Sequence, residues 1–135
     1  MLQNIFKGSK FYMRFLYGWL LWCTILSCTD SVSQQDAQFI KSNIGKLPFK
    51  FTKHALCRMA CRHIDEQEIA AVLTSGNINY EKSDTRNTQP CRKKYAIEGT
   101  TKDGQRVRII VAPCRNQLTI ITVIDLGVDW KCNCH

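Results

Sequence analysis

Residues 94–112 read KYAIEGTTKDGQRVRIIVA, two alternating apolar runs on either side of Asp103-Gly104, and this stretch decides the fold. An Asp-Gly pair supplies the left-handed backbone that closes a β-hairpin. Pairing Thr101 with Gln105 across a three-residue loop sets Val107 opposite Gly99, Ile109 opposite Ile97 and Val111 opposite Tyr95, all on one face. The other face then carries Glu98 beside Arg108. A further strand, Leu118–Asp125, follows the turn at Arg115-Asn116, and setting Cys114 opposite Gln117 brings Arg106 beside Asp125. Opposite charges on facing strands contribute a few tenths of a kcal/mol per pair, whereas a slip by one residue would bury charge, so the register is well specified.

Toward the N-terminus the period changes. Asn77–Glu81 reads as a strand and Lys82–Pro90 (KSDTRNTQP) as a polar loop. Asp65-Glu66-Gln67-Glu68 has the form of a capping box, Ile69, Val72 and Leu73 supply the buried stripe of a helix, and Gly76 is expected to end it as a C′ glycine. His54–Arg62 (HALCRMACR) predicts a shorter helix on the stripe Ala55, Leu56, Met59 and Ala60, and Phe49–Thr52 alternates as a short strand would. Ala37–Ile44 has room for one or two helical turns before Gly45 and Pro48. The expected fold is α+β: two short helices packed on one face of an antiparallel four-stranded meander.

The chain has 135 residues, 44% of them hydrophobic, with 19 Lys+Arg against 11 Asp+Glu and eight cysteines. This suits one compact domain and excludes disorder and a multi-span membrane protein. Residues 1–27 carry Lys7, Lys10 and Arg14 with no acidic residue, then the uncharged run FLYGWLLWCTIL at 15–26. Twelve residues of helix span about 18 Å, short of a hydrocarbon core of about 30 Å, so a cleaved signal fits. It ends in Ile25-Leu26-Ser27-Cys28, which resembles the lipobox of bacterial lipoproteins and implies lipid on Cys28, an extracytoplasmic face and a membrane partner through that lipid. Residues 28–45 then form a polar tether with the possible short helix, and 46–135 the single domain. Removing residues 1–27 takes away three positive charges, so a formal +8 over 135 residues becomes +5 over 108. That excess is too modest to argue for nucleic acid.

Beyond Cys23 and Cys28 six cysteines remain, the count for three bridges. The register brings Cys91 within one residue of facing Cys114, so a bulge would let the two join. Cys57 and Cys61 sit at i and i+4 on the first helix, and Cys132 and Cys134 end the chain two residues apart. Two chemistries fit that quartet: two disulfides tying tail to helix, or a tetrahedral zinc site with His54 or His135 as substitutes, zinc being the only cofactor the sequence offers. No glycine-rich phosphate loop, G-x-S-x-G elbow or H-E-x-x-H pattern occurs.

His54-Ala55-Leu56-Cys57-Arg58-Met59, continuing through Arg62 and Ile64, resembles the opening motif H-A-x-x-R-M-x-x-R-x-I of the domain-of-unknown-function family 4258, in a cysteine-rich, lipoprotein-like subgroup. The likeness runs through Gly76-Asn77-Ile78, Tyr95–Gly99, Val107–Ile110 and Thr122–Asp125, roughly residues 50 to 130. It implies a fold and no established activity. The order of elements is similar to the RelE and BrnT ribonuclease toxins, which implies catalysis by basic and His side chains on the open sheet face, here His54, Arg58, Arg62, Arg106 and Arg108. Each has a structural reading too: carboxylate partners for Arg106 and Arg108, a solvated face or carbonyl capping for Arg58 and Arg62, and a helix-start hydrogen bond for His54. His63 is expected at the turn between helices and Trp130 as a plug at the sheet end. The sequence favours a non-enzymatic, disulfide-stabilised envelope domain that binds a protein or small ligand.

Overall fold

A computed structural model describes residues 38–44, 46–89 and 91–134. Residues 1–37, where the signal segment, the lipidated Cys28 and the tether are expected, and His135 lie outside the described residues. Three helices pack with a five-stranded sheet. They are α1 (residues 38–43), β1 (Phe49–Phe51), α2 (Lys53–Arg62), α3 (Glu66–Ser75), β2 (Asn77–Asp84), β3 (Lys94–Thr100), β4 (Arg106–Cys114) and β5 (Gln117–Asp125). The sheet order is β1-β5-β4-β3-β2. β2 to β5 form the antiparallel meander, but β1 joins β5 in parallel, Phe49 to Phe51 facing Leu118 to Ile120. The four-stranded expectation is therefore corrected to a five-stranded mixed sheet. Three residues are too few to announce a partner by pattern, and a parallel partner 69 positions away leaves no turn signal between them.

The β3–β4 hairpin has the expected register from Tyr95–Val111 to Thr100–Arg106, with Gly104 at φ 84° and Thr101 N–H donating to the Gln105 carbonyl at 2.9 Å. Tyr95, Ile97, Val107, Ile109, Val111, Ile120 and Val123 point to one side, where Met59, Ile69, Val72 and Leu73 of the helices complete the core. Ile40 of α1, the short helix for which Ala37–Ile44 has room, is fully buried in the same cluster, so the core takes in a residue ahead of position 46. β2 runs on to Asp84 through an irregularity after Asn79, where Ser83 Oγ donates to the Asn79 carbonyl and accepts from Ala96 N–H. A side chain here replaces a ladder bond, and alternation cannot show that.

The capping box of α3 is present: Glu68 N–H donates to Asp65 Oδ1 at 2.7 Å and Asp65 N–H to Glu68 Oε2 at 3.2 Å. Gly76 does not end α3 in the left-handed conformation; it is extended, at φ −71° and ψ 170°. Its requirement is space. A Cβ there would stand 2.5 Å from the Val72 carbonyl oxygen and 2.7 Å from that of Glu98, both backbone atoms. The left-handed cap belongs to His63, which ends α2 at φ 55° with its N–H on the Ala60 and Met59 carbonyls.

One further expectation fails. Ile110 faces Thr122 while Val111 faces Ile120, so Ile121 is an extra residue bulging from β5. Beyond it every residue of β5 changes face relative to a regular ladder. Asp125 therefore lies opposite Val107 on the buried side, 8% exposed, and Arg106 lies opposite Thr100 with no place beside Asp125.

Candidate functional site

The five basic and His candidates divide between the two faces of the sheet. On the open face Arg108 Nε donates to Glu98 Oε1 at 2.6 Å, and Asn79 Nδ2 donates to the same oxygen at 2.9 Å. The bond from Arg108, opposed by partial burial and helped by Asn79 and the charge of Arg106, holds the Glu98 carboxyl below the usual range. Arg106 is exposed at the start of β4.

The other three lie on α2. Its N-cap is Thr52, whose Oγ1 accepts from Ala55 N–H at 3.0 Å and donates to the Ile121 carbonyl at 2.8 Å. One hydroxyl thus caps the helix and satisfies the carbonyl of the bulged residue. At the far end of α2, Arg62 reaches down to donate from Nη1 to the Val123 carbonyl, its side chain only 7% exposed. β1 covers β5 only as far as Ile120, so these carbonyls belong to an uncovered sheet edge, and α2 covers it with side chains. Burial, then the charge of Arg58, lowers the Arg62 pKa, with Asp125 and Asp129 opposing; the guanidinium stays charged in any working range. His54 and Arg58 are half-buried on the same helix. The sheet separates Arg62 from Arg106 and Arg108, so the five do not converge on one reacting centre.

What converges instead lies where β5 ends. Asp125 Oδ1 accepts from Gly127 N–H at 2.8 Å and Val128 N–H at 3.2 Å, and Oδ2 accepts from Trp130 Nε1 at 2.8 Å. Burial works to raise this pKa, but the bonds from Trp130, Gly127 and Val128 and the charge of Arg62 outweigh it and hold the carboxyl below its ordinary value. The Trp130 ring meets His63 edge to face at 5.7 Å. Gln105 Nε2 donates to the Arg62 carbonyl at 3.1 Å; Arg62 Nε and Gln105 Oε1 are buried without a hydrogen-bond partner among the described residues. The sequence reading missed this cluster because it placed Asp125 on the other face. The available signal was Ile120-Ile121, adjacent apolar residues that break the period of two ahead of Val123.

The turn at Asp125 sends the tail back along the outer side of α2. Cys61 bonds Cys132 and Cys57 bonds Cys134, with Cα separations of 6.0 and 5.8 Å. Four residues of helix advance about 6 Å and two of extended chain about 6.6 Å, which is why an i, i+4 pair matches a C-x-C pair. The antiparallel run of the tail decides which partners join. With all four sulfurs in bridges, the quartet has no thiolate to offer a metal, and among the described residues no group of three or more His, Cys, Asp or Glu is placed to hold one. The third bridge, Cys91–Cys114, joins the loop before β3 to the end of β4, with Cα atoms 4.4 Å apart.

The segment from the last residue of β1 to Asp125 matches one family pattern, described as domain of unknown function (DUF4258), over residues 51–125. The chain belongs to the DUF4258 family. No curated protein and no solved structure shows a significant match to it. The DUF4258 match stops at Asp125, so the cysteine tail lies outside the matched residues.

Proposed function

We propose that the chain is an envelope lipoprotein, anchored by lipid on Cys28, whose DUF4258 domain is a disulfide-stabilised, non-enzymatic module that binds a protein or small ligand. The observation that carries this reading is the use of the six cysteines beyond Cys28. All six are in bridges, and that chemistry persists outside the reducing cytoplasm. The signal-like residues 1–27 and the lipobox-like Cys28 point to the same compartment. The structural engagement of Arg62 and Arg108 and the separation of the basic residues by the sheet support binding over catalysis.

The test is the intact mass of membrane-extracted protein, before and after reduction and alkylation. Diacylglycerol mass on an N-terminal peptide beginning at Cys28, with six thiols blocked until reduction, is the expected result. Six thiols that alkylate at once would overturn the compartment. RNA cleavage by the intact domain, lost in Arg108→Ala, would replace the binding reading with a ribonuclease. Stoichiometric zinc in protein purified without chelator would replace the tail bridges with a metal site.

A further inference from the structure

The three bridges stand in unlike surroundings. Cys57–Cys134 and Cys61–Cys132 join residues 77 and 71 positions apart, and all four cysteines are half-buried between α2 and the tail. Cys91–Cys114 joins residues only 23 apart, with Cys91 exposed. An exposed cysteine is open to attack by a thiolate, and the half-buried tail cysteines are less so.

The short bridge also opens on a cleft of about 500 Å³ lined by Pro48, Cys91, Cys114, Arg115, Asn116 and Gln117. The charge around it has one dominant sign. Arg92, Lys93 and Lys94 follow Cys91, and Arg115 follows Cys114 and lines the cleft with both sulfurs. The carboxylates on the neighbouring strand are Glu81 and Asp84, the latter opposite Lys94. Cys91 and Arg115 hold left-handed backbone, at φ 66° and 52°, which a non-glycine residue occupies only when its surroundings require it. Cationic neighbours stabilise a thiolate and so make it a better leaving group, and a partly exposed, electropositive cysteine is where thiol exchange occurs.

We infer that Cys91–Cys114 is a redox-active disulfide, exchanging with small thiols of net negative charge that enter the Pro48–Gln117 cleft, while the two tail bridges are structural. The thiolate of the first small thiol attacks the exposed Cys91 Sγ. The S–S bond breaks and Cys114 leaves as a thiolate beside Arg115. A second small thiolate then attacks the outer sulfur of the mixed disulfide and releases Cys91. The balance is one protein disulfide plus two small thiols giving two protein thiols plus one small-molecule disulfide. Two electrons pass to the bridge, and the two thiol protons end on Cys91 and Cys114. The exchange runs backward when the small disulfide is in excess. None of this depends on lipidation, so it stands or falls apart from the envelope reading.

The test uses the full chain, with 2-mercaptoethanesulfonate as the anionic thiol and cysteamine as the cationic one, compared at equal thiolate concentration. Timed alkylation and peptide mapping read each bridge separately. Cys91–Cys114 is expected to open first, with the anionic thiol faster than the cationic by about tenfold at low salt, as steering by several charges gives. The tail bridges should show little preference. In the double variant Arg92→Gln, Arg115→Asn the preference at Cys91–Cys114 is expected to fall to that of the tail bridges, and Asn tolerates the left-handed backbone at 115. An unchanged far-UV spectrum confirms the fold of that variant. A tail bridge opening first, or a charge preference that survives the double substitution, would overturn the inference.

Discussion

The two halves of β5 are held in different ways. Gln117 to Ile120 lies inside the sheet, with β4 on one side and β1 on the other. From Ile121 to Asp125 β5 has no β1 beside it, and that edge is satisfied at Ile121 by the hydroxyl of Thr52, the N-cap of α2, and at Val123 by the Arg62 guanidinium. The first half is held by backbone, which any side chain can supply, so its residues are replaceable if they keep the alternation. The second is held by particular side chains, and its sequence requirements are correspondingly strict.

Arg62→Ala is the hardest blow to that contrast. It leaves a buried carbonyl at Val123 without its donor and opens a cavity under α2, and should cost about 3–4 kcal/mol in urea unfolding with the bridges intact. Thr119→Ala, on the doubly paired half, should cost under about 0.5 kcal/mol. Equal losses would show that α2 does not stand in for a strand. Next in size is Asp125→Ala, which removes the acceptor for three hydrogen bonds, at about 2–3 kcal/mol. Asp125→Asn should cost less and change the acid response. Because the folded carboxyl is held below its unfolded value, its stabilisation is complete above the ordinary carboxylate range and is lost as pH falls through the lowered value. The wild type should therefore weaken below about pH 4 more steeply than Asp125→Asn, as read from unfolding midpoints across pH. A parallel decline in both would remove Asp125 as the source.

Thr52→Val keeps the shape but loses the cap and the bond to Ile121, for about 1–2 kcal/mol. Glu98→Gln on the open face should cost less than Thr52→Val, under about 1 kcal/mol, since the pair with Arg108 is partly exposed. A larger loss for Glu98→Gln than for Thr52→Val would reverse the ranking of the two faces.

These rankings also explain which parts were legible from sequence. The hairpin around Asp103-Gly104 and the capping box at Asp65 are local: turn chemistry, alternation and a four-residue side-chain pattern determine them with neighbours close in the chain. The family motif from His54 to Ile64 was legible too, because it is a run of residue types. The parallel seat of β1 depends on contacts between residues 69 positions apart, and the bulge at Ile121 is one residue in the β4–β5 ladder, marked in the sequence by nothing more than the adjacent pair Ile120-Ile121. That single residue carried Asp125 from the open face to the buried one, and the Asp125–Trp130 cluster with it. Gly76 was legible as a necessary glycine but for the wrong reason, since a close approach between two backbones is invisible until both are placed. The Cys91–Cys114 pairing was legible from the register, whereas Cys57, Cys61, Cys132 and Cys134 were legible only as a quartet for two disulfides or a zinc site, and their pairing follows from the run of the tail.

The bond between Cys57 and Cys134 also has a mechanical meaning. It closes a covalent ring that contains α3 and all four strands of the meander, and Cys61–Cys132 closes a second ring just inside it. A pull applied between the residues before Cys57 and the end of the tail runs through sulfur, not through the meander. The ladders of the meander are bypassed and carry no load, and of the sheet only the seat of β1 on β5, which lies before Cys57, is left in the path.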